Sequence, residues 1–260
     1  MWGVVSARLN GYVRRLRFEW NQYCWRRRTR RCRTIFKRWQ KSFAQSDAEV
    51  LVGAHLHLQG GVRNHLLAIR DFSKLRVLLV PGEAELQKYG SAPFAENVQK
   101  FLATPPPKSS LCVHTHVLPL LIDWAALHSS GRLRWVHTHH LLYYPEAGRR
   151  GIEPWQEQLN EAMIRGARSS DVCLCVSRWE KRVLREQFGV SAHYLPNGVD
   201  VRQCDLANAS RFKRRFRLAR PFVLWVGRLD AVKNPRDFIR LSALVPATQC
   251  VMIGGLTAEN

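Results

Sequence analysis

Eight short apolar runs, most of them separated by stretches of helical period, leave this chain few ways to fold. The runs span residues 49–57, 75–80, 111–117, 133–139, 172–176, 192–195, 222–226 and 249–253. Between them, apolar residues recur at three- and four-residue steps, the spacing of one helix face. Strand and helix in alternation give an α/β class with a mainly parallel sheet. No internal repeat is evident.

Two helix starts are well marked. In "SRWE" (177–180) the Ser177 hydroxyl can accept from the Glu180 N–H while the Glu180 carboxylate reaches back, a capping box. Trp179, Val183, Leu184 and Phe188 follow as a core face, and Gly189 is the stop. In "NPRD" (234–237) Asn234 is the expected N-cap, with Pro235 at the first helical position, where a missing N–H costs nothing.

At 260 residues and 46% hydrophobic content the chain can bury a substantial core. Its formal charge of +21 calls for an anionic partner: phosphate groups, nucleic acid or a lipid surface. Seven cysteines, odd in number and without a CxxC pair, read as free thiols in a reducing cytoplasm. The longest apolar candidate for a membrane span, "VLPLLIDWAAL", is interrupted by Asp123, and the first residues lack a secretory apolar core. The expectation is a soluble or peripheral protein.

Residues 1–47 hold 11 Arg and 2 Lys against Glu19 and Asp47. Leu9, Val13, Leu16, Trp20 and Tyr23, then Cys32, Phe36, Trp39 and Phe43, line one helix face, and Arg covers the rest. This basic amphipathic leader suits an anionic membrane surface at the cytoplasmic inner face, with aromatic groups in the headgroup layer. A solvated basic extension, a nucleic-acid arm and a transit peptide are the alternatives.

Histidines close three of the expected strands: His55 and His57, His114 and His116, and His137, His139 and His140. In an open parallel sheet the carboxyl ends of strands line the ligand crevice where strand order reverses, so imidazoles collect at one edge. Gly60 and Gly61, after the first run, permit a tight turn with backbone close to a ligand. The histidines lack an HExxH pattern, and the expectation is no metal: hydrogen-bonded core histidines with one or two functional ones.

In "VLWVGRLDAVKNP" (223–235), Arg228 leaves the end of a strand and Lys233 stands just before a helix start. Free N–H groups and the helix dipole already favour an anion there, so two cations and a helix end describe a diphosphate site. An ordinary surface loop carrying an Arg and a Lys is the alternative.

Taken together, "GGVRNHLLAI", "WVHTHHLLYYPE", "VSRWEKRVLREQFGV", "LPNGVD" and "VGRLDAVKNP" resemble the family 4 glycosyltransferases of the GT-B fold, in family order from about Glu49 onward. The resemblance implies an N-terminal Rossmann-like acceptor domain over 48–198 and an incomplete C-terminal nucleotide-sugar-binding domain from 199 to 260. It further implies transfer, with retention of configuration, from a nucleotide diphospho-sugar to a glycan or lipid-linked acceptor. Arg228 and Lys233 match the phosphate-binding pair, Gly60 and Gly61 the glycine loop. The TxH pattern of the family's active-site histidine falls on His140, with His139 as the fallback. No metal or other cofactor is implied, because the cations offset the leaving diphosphate.

The chain departs from the family in its C-terminal half, where the E-x7-E motif that meets the donor is missing. The same spacing at Glu153 and Glu161, with Glu157 on the same face, reads as a solvated acidic stripe. The expectation is therefore a truncated enzyme, a fragment, or a split enzyme completed by a separate C-terminal half, with poor or no sugar transfer by this chain alone. A non-catalytic glycan or membrane-surface binding module is the competing function. A nucleic-acid partner is disfavoured, because the excess charge is concentrated in the leader.

Overall fold

The computed structural model of the chain describes residues 27–53, 61–144, 151–229 and 233–255. His55, His57, Gly60 and the leader before residue 27 lie outside these. The described chain divides into two compact units, residues 27–144 with 151–198, and residues 199–255.

The first unit holds six parallel strands in the order β2-β1-β3-β4-β5-β6. They are β1 (Val50–Gly53), β2 (Val77–Val80), β3 (Cys112–Thr115), β4 (Arg134–His139), β5 (Val172–Cys175) and β6 (His193–Tyr194). Each falls inside an expected run and is shorter than it. Chain order reverses between β1 and β3, which makes their carboxyl ends the topological switch point.

Alternation along the strands sorts the core into two layers. Leu51, Val113 and Trp135 turn to one face, while Val50, Val52 and Leu79 turn to the other, against Leu66 of α2 (Gly61–Phe72) and Leu86 of α3 (Glu83–Tyr89). The first face is covered by α6 (Pro119–His128), α7 (Pro154–Ser169) and a helix over residues 27–44, here α1. At the end of β1, Gly53 is what admits α6: a Cβ there would stand 1.9 Å from Leu121 Cδ2.

Helix α1 corrects the reading of a separate leader. Cys32, Ile35, Phe36, Trp39 and Phe43 form its buried stripe. Trp39 lies near-parallel between Phe43 and Phe101 at centroid distances of 5.0 and 5.3 Å and meets Phe94 edge-on at 5.2 Å. Its indole N–H donates to the Pro81 carbonyl at 2.7 Å, so the ring is buried without an orphaned donor. These rings are therefore core and not free for a headgroup layer. The opposite face keeps Arg27, Arg28, Arg30, Arg31, Arg33, Lys37, Arg38 and Lys41 exposed.

Two short helices, α4 (Ala92–Ala95) and α5 (Val98–Leu102), supply Phe94 and Phe101 to this cluster. Further along, α8 (Arg178–Phe188) packs Leu184 beside Cys173, Cys175 and Ile164. Ser177 caps it, accepting from the Glu180 N–H at 3.1 Å, and Gly189 ends it in the left-handed region with φ 67°. The Glu180 carboxylate also takes the Ser177 hydroxyl at 3.1 Å.

The second unit comprises α9 (Val201–Asp205), α10 (Ala209–Arg215), and the parallel pair β7 (Phe222–Val226) and β8 (Gln249–Ile253), joined through α11 (Pro235–Leu244). Val251 alone among its described residues is buried. Pro235 opens α11 as expected, but Asn234 does not cap it: its backbone is left-handed at φ 49°, and its amide donates to Asp237 Oδ2 at 2.6 Å.

Candidate functional site

Strand alternation divides the histidines into two sets with different surroundings. His137 and His139 of β4 share a face with Trp135 and are fully buried. His137 Nδ1 lies 2.8 Å from Thr115 Oγ1, which also accepts from the Trp135 indole at 2.8 Å. The ring of His137 fills the space beside Gly166 of α7, where a Cβ would come within 2.9 Å of Nδ1. Neither ring nitrogen of His139 has a hydrogen-bond partner. These two are packed inside the layer.

The other set gathers at the switch point. His114, on β3, turns toward the α2 side, and its Nε2 lies 2.7 Å from Thr138 Oγ1 on β4. His116 follows the end of β3, and its ring centroid is 4.2 Å from that of His114. His140 comes directly after β4, with Nε2 at 2.9 Å from His116 Nδ1. His65, one turn into α2, completes the group with centroids 5.4 Å from His116 and 5.2 Å from His140. One potential ligand atom from each of His65, His116 and His140 lies within 4.8 Å of the other two. His116 is buried, whereas His65 and His140 are partly exposed.

Burial sets the charge of this cluster. It pushes His140 and His114 down to about 3, with the neighbouring histidines adding to the effect. His116 is driven well below the ordinary range by burial and then by His114, His140 and His65. His65 is lowered by burial, while a side-chain hydrogen bond with Asn197 works the other way. At neutral pH these rings are uncharged, able to accept or donate a hydrogen bond and poor at holding a proton. The sequence pattern places His116, His139 and His140 at strand ends but carries no sign that His65 joins them. His65 stands four residues after Gly61, on the helix that follows β1.

Gly61 is the first residue of α2, exposed, and a Cβ added to it would meet nothing within 4 Å. Its neighbours thus impose no need for glycine. Arg228, just after β7, and Lys233, just before α11, are both exposed. The Trp225 indole donates to the Lys233 carbonyl at 3.2 Å. Gly254 must lack a side chain there, because a Cβ would stand 2.1 Å from the Gly227 carbonyl oxygen. Glu153, Glu157 and Glu161 are all exposed, but Glu153 is the N-cap of α7, its backbone N–H donating to Gln156 Oε1 at 2.9 Å, so it belongs to the helix start and not to a solvated stripe. Among the described residues no helix is long and apolar enough to cross a membrane.

Residues 111–203 match the family model described as Glycosyltransferase Family 4. The match runs from the start of β3 into α9 and takes in His114, His116, His139 and His140. A search of curated proteins finds no match to the chain.

Proposed function

We infer from the family 4 glycosyltransferase domain carried by residues 111–203 that the protein transfers a sugar from a nucleotide diphospho-sugar to a glycan or lipid-linked acceptor, with retention of configuration. The observation that carries this reading is the imidazole cluster at the β1/β3 switch point, where open α/β sheets bind ligands. A ring held neutral, as His140 is, makes a weak general base, because proton transfer is most effective when the pKa lies near the working pH. His140 accordingly acts by hydrogen bonding, holding a sugar hydroxyl in place while the bond to the diphosphate breaks, the bond to the acceptor oxygen forms, and the acceptor's proton passes to the leaving diphosphate. His139, fully buried, packs behind it.

Arg228 and Lys233 would meet the donor diphosphate and offset the charge that develops on it as it leaves. Gly60 and Gly61 are the first unit's own candidates for the family's glycine loop. The exposed basic face of α1 supports attachment to an anionic membrane surface at the cytoplasmic inner face. Release of nucleoside diphosphate from a panel of nucleotide sugars, with and without acceptor, tests the reading. Replacing Arg228 and Lys233 together by alanine should lower the rate by about 100-fold or more. Turnover that survives the double change, or a chain that leaves every donor untouched, refutes it.

A further inference from the structure

We infer that His65, His116 and His140 form a binding site for a divalent transition-metal ion of the zinc type. Three imidazoles with an open fourth position are a ligand set that zinc accepts. The three come from different parts of the first unit, α2, the end of β3 and the end of β4, and the topological switch brings them together. Their ligand atoms already lie within 4.8 Å of one another.

The cluster's own hydrogen bonding leaves room for an ion. His116 Nδ1 and His140 Nε2 are 2.9 Å apart, whereas two nitrogens on a tetrahedral zinc at its usual bond length are about 3.3 Å apart. A rotation of a few tenths of an ångström separates them enough. The Nε2 atom of His65 is buried without any hydrogen-bond partner. A buried polar atom in that state is costly, and a cation would give its lone pair a partner. His114 stands behind His116, fixed through Thr138, and is placed to support its neighbour's ring orientation. Because His65 and His140 are partly exposed, an ion has access, and water can fill the fourth position.

The ion would take a nitrogen that the proposed transfer also uses, but the site does not rest on that reading, and its test measures metal directly. Untagged full-length protein, stripped with chelator, is titrated with Co²⁺ and followed by visible absorption, with Zn²⁺ added afterwards as competitor. The expected result is one saturable equivalent with the intense spectrum of low coordination, displaced by one equivalent of zinc. His65→Ala, on the partly exposed side of α2, should weaken binding by more than about 100-fold, beyond the cost of losing an outer-shell partner. Its far-UV circular dichroism and melting in chelator should be unchanged. His116→Gln should do the same, and His114→Ala should weaken binding less. Failure to take up one equivalent overturns the inference, as does binding that survives both His65→Ala and His116→Gln.

Discussion

Replacing Trp39 by alanine should destabilise the first unit by about 4–5 kcal/mol. Truncating a buried Trp to Ala costs about 3–5 kcal/mol in transfer and cavity terms. Trp39 sits toward the upper end, because its ring touches Phe43, Phe101 and Phe94 at once. Its indole N–H also satisfies the Pro81 carbonyl at 2.7 Å, and losing that hydrogen bond adds about 1 kcal/mol. Against a typical domain stability of about 5–15 kcal/mol, this is about a quarter of the total or more. With a urea slope of about 3 kcal/mol per molar, the unfolding midpoint followed by far-UV circular dichroism should fall by about 1.5 M. Arg38→Ala, one residue away on the exposed face, should move it by less than about 0.2 M. If Trp39→Ala instead leaves the midpoint in place and abolishes binding to anionic vesicles, α1 is a membrane helix and the core described here is wrong.

Two further predictions concern the buried histidines. His137 is held well below its ordinary range and His139 is pushed down to about 4, both by burial first. Depressed bases contribute stability that is complete above pH 6.5 and is lost as pH falls toward 4, at about 1.4 kcal/mol per pH unit for each. Burial raises Glu180 to about 7, which acts oppositely, losing stability as pH rises from 4.5 to 7, but it is one group against at least two. Urea midpoints should therefore drop between pH 7 and pH 5, and an unchanged midpoint would contradict the burial of these rings. Gly166→Ala should destabilise by about 1–2 kcal/mol even though alanine favours helix by about 1 kcal/mol, because the new Cβ would stand 2.9 Å from His137 Nδ1. A rise in melting temperature would show that the ring can move aside.

The strands were legible because buried parallel strands are short apolar runs, and Ser177 with Gly189 marked both ends of α8 by local chemistry alone. Pattern reading could not tell which surface would cover the aromatic stripe of residues 32–43. A stripe flanked by arginines looks the same whether it meets lipid or Phe94 and Trp124. Gly53 was equally opaque, since its role depends on Leu121, far along the chain. For the site, histidines at strand ends were visible, but their sorting depended on register: His114 lies opposite Val136 and Thr115 opposite His137, and this parity separates a packed pair from an edge cluster. His65 required the fold itself, because a helix had to return over β1 to bring it there.

The docking of α1 also sets a schedule. Ribosomes add about 5–20 residues per second, and the stripe around Trp39 is completed by Trp124, 85 residues later. For roughly 4–17 s, then, a nascent chain carries an uncovered row of aromatic rings edged with arginine. During that interval its solubility depends on charge repulsion and on whatever holds it near the ribosome. The same residues that stabilise the finished unit are the ones most exposed to aggregation while it is being made.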